Sequence, residues 1–299
     1  MQNSINNSSR LVLGTAQLGF NYGIANLSGR PNYSAAVQIL KCAWKGGIRL
    51  LDTAQTYGVS EAIIARFLRD YPEYPFGVIT KLNPKTKASD GQSIKNGVDK
   101  CRKDIGRPLS GIMFHDGAAL SLLNNDGRKV IRQYIVSGVA AAFGVSVYTP
   151  DEFRTALNEN TIDIIQAPFN VLDRRLLEGG LLERAADLGK KVFLRSVYLQ
   201  GLLLMEPSDL PPTMTYATQT IQSWRRLCKK YTLSPLQAAL GFVRTVAPDT
   251  GVVIGCETLA QMDENLAAIH MSELDPDFLT EVESLRVDDP RTFDPSTWT

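Results

Sequence analysis

The sequence predicts an α/β fold, a closed (β/α)8 barrel (TIM barrel) with a long insertion between its seventh and eighth strands. Three observations carry this. Eight short runs rich in β-branched residues recur along the 299 residues, stretches of helical periodicity separate them, and successive runs start about 23 to 37 residues apart as far as the seventh. Apolar strands alternating with helices imply a parallel sheet covered by helices, and eight such units are the number that closes a barrel. A doubly wound open sheet is the alternative. The length fits one barrel or two domains, and the unbroken alternation favours a single domain over residues 1–299.

In order, the runs are Leu11-Val-Leu, Ile48-Arg-Leu-Leu, Phe76-Gly-Val-Ile-Thr, Gly111-Ile-Met-Phe, Val139 to Val145, Ile162-Asp-Ile-Ile, Val192-Phe-Leu and Val252-Val-Ile. Between them, Ala35/Ile39/Ala43, Ala62/Ala65/Phe67/Leu68 and Val130/Ile131/Tyr134/Ile135 repeat at helical spacing, and Gly46 and Gly138 stop two of these helices. The gap between the seventh and eighth runs is about twice as long as the others. It opens with Glu206-Pro-Ser-Asp-Leu-Pro-Pro and continues as two helix-like segments, the second starting at Ser234-Pro235, a capping residue before a proline at the first helical position. This insertion is expected over the barrel mouth. Ser272 to Arg286 reads as a terminal helix and 287–299 as an exposed tail.

With 32 Lys+Arg against 31 Asp+Glu, the chain has a net charge of +1 and no basic patch, so neither nucleic acid nor an anionic membrane is an expected partner. No apolar stretch approaches the 18 or so residues of a membrane span, and the polar start Met1-Gln-Asn-Ser lacks an apolar signal region, which points to the cytoplasm. Cys42, Cys101, Cys228 and Cys256 lie far apart with no Cys/His cluster, so no metal site or disulfide framework is expected. No apolar stripe marks a subunit interface.

In a closed barrel the C-terminal strand ends converge on one mouth. The polar residues just beyond the runs are Asp52 with Tyr57, Lys81, His115, Ser146, Gln166 with Asn170, and Arg195 with Ser196. Asp, Tyr, Lys and His in one pocket point to proton transfer by a phenol. Tyr57, near pH 10 when unperturbed, needs a neighbouring cation to stabilise its phenolate, and Lys81 is that cation. Asp52 would balance the ammonium, and His115 would polarise a bound carbonyl oxygen. No nucleophile is paired with a base, and no second carboxylate converges as a glycosidase requires. Singly, each residue has a structural explanation: Asp52 as a turn cap, Tyr57 as an anchor, Lys81 as a solvated cation, His115 as a core histidine.

Taken together the motifs resemble those of the aldo-keto reductase superfamily. Leu50-Leu-Asp-Thr-Ala-Gln-Thr-Tyr-Gly-Val-Ser-Glu61 is similar to the family's Asp-Thr-Ala…Tyr-Gly…Ser-Glu motif, Val78-Ile-Thr-Lys81 to its lysine strand, and Ile112-Met-Phe-His-Asp116 to its Leu-x-His-Asp segment. The resemblance continues through Phe143-Gly-Val-Ser146, Ile165-Gln-Ala-Pro-Phe-Asn170, Arg195-Ser-Val-Tyr-Leu-Gln-Gly-Leu-Leu203, Val253-Ile-Gly255 and Glu264-Asn265, spanning about residues 10 to 270. It implies an oxidoreductase interconverting an aldehyde or ketone and its alcohol with a nicotinamide cofactor laid across the barrel mouth. Its tetrad would be Asp52, Tyr57, Lys81 and His115, with Tyr57 the proton donor. By the same resemblance Thr15 and Asp52 would contact the cofactor, Ser146 and Gln166 would hold the nicotinamide carboxamide, Arg195 would lie against the ring, and Ser196, Val197 and Gly201 would contact the pyrophosphate. Gly255, Thr258, Gln261 and Asn265 would surround the adenosine.

Two departures from the family pattern are informative. The usual Ser-Asn after strand five is Ser146-Val147, which removes one amide near the nicotinamide. Where relatives that prefer the phosphorylated cofactor carry Lys or Arg, this chain has Gly255-Cys-Glu-Thr-Leu-Ala-Gln-Met262, with Glu257 and no basic residue. A carboxylate repels a 2′-phosphate and accepts from a free 2′-hydroxyl, so the expectation is NAD(H) or dual use with NADP(H). The long loop after strand one carries Phe20 and Tyr22, and together with Asp116 and Asn170 these are the expected substrate walls, suited to a sugar-like or hydroxylated small-molecule carbonyl. Two other readings compete. One is a cofactor-binding regulatory module like the superfamily's channel β-subunits, although the first ten residues and the tail are short for a docking extension. The other is a different barrel enzyme using Lys81 as a Schiff base.

Overall fold

The structure is a computed structural model that describes residues 10–285, 287 and 289–298. Eight strands close into one parallel barrel in sequence order: β1 Leu11–Gly14, β2 Leu50–Asp52, β3 Gly77–Lys81, β4 Gly111–Phe114, β5 Phe143–Ser146, β6 Ile164–Pro168, β7 Lys191–Arg195 and β8 Gly251–Gly255. The seam is the β1–β8 pair, in register from Leu11 opposite Val252 to Gly14 opposite Gly255.

Alternation of side chains along each strand divides the core in two. Val12, Ile79, Met113, Ala142, Ile164 and Phe193 form a small apolar cluster inside the barrel. Their strand neighbours, among them Leu11, Leu13, Val78, Ile112 and Phe114, join the much larger core between strands and helices. The interior is filled by side chains rather than hollow. Phe193 takes so much of it that a Cβ on Gly251 would come within 2.4 Å of its ring, so glycine is required there.

The fifth strand starts later than the run Val139 to Val145 implies. Ala140 pairs only as an isolated bridge to Leu109, while Val139 N–H donates back to the carbonyl of Tyr134, so the chain is still leaving its helix there. Local capping sets the helix starts. Ser234 and Gln237 form a capping box before Pro235–Val246, as the Ser-Pro pair predicts, and Thr149 and Glu152 form another before Pro150–Asn158. Between β7 and β8 the chain passes through 3-10 segments at Leu199–Leu204, Pro207–Asp209 and Pro212–Ala217, then helices Thr218–Lys230 and Pro235–Val246. Fully buried Trp224 ties this region down, its indole N–H donating to the carbonyl of Leu203 at 2.9 Å.

Two expectations at the C-terminus are corrected. The last helix spans Pro276–Glu283 rather than Ser272 to Arg286, because Asp275 caps it and Pro276 fixes its first turn; Arg286 lies outside the described residues. The described part of 287–299 is not an exposed tail. Thr292 is fully buried, Phe293 and Trp298 pack against the main core, and the Trp298 indole donates to the carbonyl of Arg291 at 2.7 Å. Two aromatic rings outweigh the low apolar content of this segment. No helix among the described residues is long and apolar enough to cross a membrane.

Candidate active site

Because all eight strands run parallel, their C-terminal ends share one face of the barrel. Asp52 ends β2, Lys81 ends β3, His115 follows β4, Ser146 ends β5, Gln166 lies in β6, Arg195 ends β7 and Gly255 ends β8. All of them, with Tyr57, line a single cavity of about 310 Å³.

At its centre the buried Lys81 ammonium donates to both oxygens of Asp52, at 2.6 and 2.7 Å, and to the carbonyl of Thr53 at 3.3 Å. The Gln166 amide donates to the same carboxylate at 2.9 Å. Burial pulls the Lys81 pKa down from its ordinary value, and the Asp52 charge opposes that pull. Lys81 Nζ stands 5.3 Å from the centroid of the Tyr57 ring. The expectation that Lys81 makes Tyr57 a stronger acid is not met. Burial, and then the Asp52 carboxylate, push the Tyr57 pKa upward, and Arg195 is the cation that opposes them. Tyr57 is therefore held as the phenol.

His115 sits edge-on to Tyr57, with ring centroids 6.4 Å apart, and its Nε2 is 3.0 Å from the Thr56 hydroxyl. Burial, and then the Lys81 charge, lower its pKa, so the imidazole is neutral at pH 7. Arg195 lies over the ring of Tyr148 at 4.3 Å and donates to the Val147 carbonyl at 3.2 Å and the Ser196 hydroxyl at 3.3 Å.

Beyond β7 the backbone turns sharply. Ser196, Leu199 and Gln200 have φ of 60, 49 and 54°, and Gly201 has φ of 96°. Such strain in non-glycine residues is kept where surrounding structure over-determines it. Here the loop after β1 provides that packing: a Cβ on Gly201 would meet the Cβ of Ala25 at 2.4 Å. Tyr22, Asn26, Gln200 and Gly201 thereby line the same cavity. Burial and the nearby Tyr57 push the Tyr22 hydroxyl up to about 12.

Of the cofactor residues expected from sequence, Thr15, Ser146, Gln166, Arg195, Ser196, Val197, Gly201, Gly255, Gln261 and Asn265 line the cavity with Asp52. Thr258 does not. It caps the helix Leu259–Ile269, accepting from Gln261 N–H, while the Gln261 side-chain carbonyl accepts from Glu257 N–H at 2.9 Å and its amide donates to the Glu257 carboxylate at 3.0 Å. Thr15 donates its hydroxyl to the Asp52 carbonyl at 2.8 Å.

Of the substrate residues, only Tyr22 lines the cavity. Phe20 packs against Tyr22 and Tyr57, at 5.5 and 6.2 Å between ring centroids. Asp116 is outside the cavity lining, and its charge acts on His115. Asn170 is fully buried: its side-chain carbonyl accepts from Leu172 and Asp173 N–H at 2.9 and 3.0 Å, and its amide donates to the Ser196 carbonyl at 3.2 Å. It braces the strained β7 turn instead of facing a substrate. Gln17, Tyr148, Gln200 and Glu264 line the cavity and are absent from the sequence-based set. Tyr148 was within reach, two residues past Ser146 at the β5 end; the others depend on how loops fold back.

The aldo/keto reductase family's sequence model matches residues 10–287. Among curated relatives, the NADH-specific methylglyoxal reductase of Escherichia coli is 25% identical, over 90% of this chain and 92% of its own. The D-threo-aldose 1-dehydrogenase of a Pseudomonas species is 24% identical, over 84% and 89%. The barrel superposes on an aldo-keto reductase of Bacillus halodurans with a TM-score of 0.75 at 18% identity, covering 95% of each chain. A glycerol dehydrogenase of Gluconobacter oxydans gives 0.70 at 20% identity, over 92% and 90%. The family model's match over nearly the whole described chain shows that this protein belongs to the aldo/keto reductase family of oxidoreductases.

Proposed function

We propose that this enzyme interconverts a small polar carbonyl compound and its alcohol with a nicotinamide dinucleotide, Tyr57 exchanging the proton. The observation that carries the reading is a buried phenol beside a neutralised Lys81–Asp52 pair and a neutral His115 at the mouth of one cavity.

The residues present fit the cofactor. Gln166 Oε1 is buried without a hydrogen-bond partner although its amide is engaged on Asp52, and it lies in the cavity lining. An orphaned buried acceptor costs about 1–3 kcal/mol, and the amide of a nicotinamide would satisfy it. Gln166 and Ser146 would hold that end, Arg195 would lie near the ring, and the turn Ser196 to Gly201 would hold the phosphates. Gly255, Gln261 and Asn265 would meet the adenosine, with Gln261 positioned by Glu257. When bound, the cofactor supplies or accepts the hydride.

The chain itself handles the oxygen. His115 and Tyr57 would both point donors at the carbonyl oxygen, polarising it. Tyr57 keeps its proton until that oxygen gains negative charge, then releases it, and Arg195, the cation whose charge favours the phenolate, stabilises what is left behind. Asp52 holds Lys81 in place through two short contacts. Tyr22 and Tyr148, with the β7–β8 segment contributing Gln200, Gly201, Leu204 and, from its second helix, Leu236, would cover the mouth. Mixed aromatic and polar walls suit a hydroxylated or sugar-like carbonyl.

NAD(H), alone or with NADP(H), is the proposed cofactor. Among the described residues, the only lysine or arginine side chains lining the cavity are Lys81 and Arg195, both near Tyr57, while the β8 end presents Glu257 and Glu264. A 2′-phosphate would meet carboxylates there. Titration with NADH and NADPH at fixed ionic strength tests the assignment. Binding of NADH with turnover of small hydroxylated aldehydes is expected, and failure to bind either nucleotide would overturn it.

A further inference from the structure

We infer that Arg195 sets a preference for the reduced over the oxidised cofactor, acting as a fixed positive charge opposite the site where the nicotinamide becomes cationic. The inference rests on the function proposed above.

The charges at the catalytic end of the cavity are readily summed. Lys81 and Asp52 neutralise each other at 2.6 Å. His115 is neutral at pH 7, and Tyr57 and Tyr22 are held as phenols by burial. Asp116 lies beside His115 but outside the cavity lining. Arg195 remains, half-buried, with its guanidinium 4.3 Å from the Tyr148 ring centroid and hydrogen bonds to the neutral oxygens of Val147 and Ser196. Among the described residues no carboxylate lies within ion-pairing distance of it. A guanidinium cannot shed its proton, so this charge is permanent. It is felt by Tyr22, Tyr57, Lys81 and His115 alike, which places it among the groups that surround the reacting carbonyl.

Hydride transfer requires the nicotinamide within van der Waals contact of that carbonyl. Its ring is neutral when reduced and carries a positive charge when oxidised. A cation held nearby in a partly desolvated cavity leaves the first state almost untouched and repels the second. In the reducing direction the oxidised cofactor is the product, so the same repulsion hastens its release. A surplus cation also attracts an anionic group, either a carboxylate on the substrate or the cofactor's phosphates. Stacking on Tyr148, with a charge that is felt by Tyr22, Tyr57 and His115, favours the redox role.

The test compares dissociation constants of NADH and NAD⁺ for the wild type, Arg195→Met and Arg195→Lys, by fluorescence titration and competition without substrate. The wild type and Arg195→Lys are expected to bind NADH at least tenfold more tightly than NAD⁺. Arg195→Met is expected to bring the two constants within about threefold, chiefly by improving NAD⁺ binding. Should that variant not fold, Arg195→Gln, which keeps a donor for the Val147 carbonyl, carries the same expectation. Equal weakening of both nucleotides would overturn the inference in favour of a phosphate contact. An unchanged ratio, with lost preference for carboxylate-bearing over neutral aldehydes, would overturn it in favour of substrate recognition. No binding of either nucleotide to the wild type would instead refute the proposed function.

Discussion

Lys81 Nζ sits between the two carboxylate oxygens of Asp52, 2.6 Å from one and 2.7 Å from the other, and the two side chains are only 2% and 5% exposed. Such a pair is costly to form and costlier to split, because removing one partner strands a buried charge. Lys81→Met is therefore expected to lose about 3–5 kcal/mol of unfolding free energy. The double variant Asp52→Asn, Lys81→Met is expected to be more stable than Lys81→Met alone. Urea unfolding of the four proteins in the cycle measures the coupling.

His115 gives the pH dependence a definite sign. Its pKa is lowered on folding, so below about pH 6.5 the unfolded chain binds a proton that the folded chain does not. The stability contribution is present above that pH and is lost as pH falls through the lower, folded value. Reduction is likewise expected to hold its rate down to about pH 6.5 and to fall only in more acid solution. His115→Gln removes this acid limb from the kcat/KM profile.

Asn170 separates positioning from substrate contact. Its side chain holds two backbone N–H groups and the Ser196 carbonyl. Asn170→Ala is expected to cost about 1–3 kcal/mol of stability through unsatisfied buried groups and to weaken nucleotide binding. Substrate KM at saturating cofactor is expected to change little, since the side chain does not line the cavity. A steady-state analysis against both substrates distinguishes the two.

Gly201 and Glu257 test the two ends of the nucleotide site. Gly201→Ala must displace Ala25 in a backbone conformation with φ of 96°, and nucleotide affinity is expected to fall at least tenfold. Glu257→Lys is expected to shift affinity toward NADPH, since it reverses a charge that the cavity lining leaves uncompensated at that end. Parallel titrations with NADH and NADPH read both effects.

The barrel was legible because each strand is a short apolar run and helical spacing fills the gaps between them, with Gly46 and Gly138 marking two helix ends. Asp52, Lys81 and Ser146 were found by their place at strand ends, which in a parallel barrel identifies the mouth. Position along a strand says nothing about where a loop side chain turns. Asn170 and Thr258 therefore passed for ligand contacts while serving the backbone, Gln17 escaped notice, and Glu264, though part of a recognised motif, was given no role. The electrostatics were hidden for a related reason. The Lys81–Asp52 pair was expected, but that burial and the Asp52 charge leave Tyr57 a weaker acid depends on depth and distances that no spacing rule supplies. The C-terminal segment was misread because composition averaged over 287–299 obscures what Phe293 and Trp298 do individually.

The proton-transfer role of Tyr57 is tested most directly by Tyr57→Phe, assayed for NADH binding by fluorescence and for aldehyde reduction under saturating conditions. The substitution removes one hydroxyl and keeps the ring that packs against Phe20 and His115. Binding within about threefold of the wild type, with turnover reduced by roughly 10²–10⁴, is the expected result. Unchanged turnover in a folded, nucleotide-binding variant would contradict the account and move the proton donor to another residue.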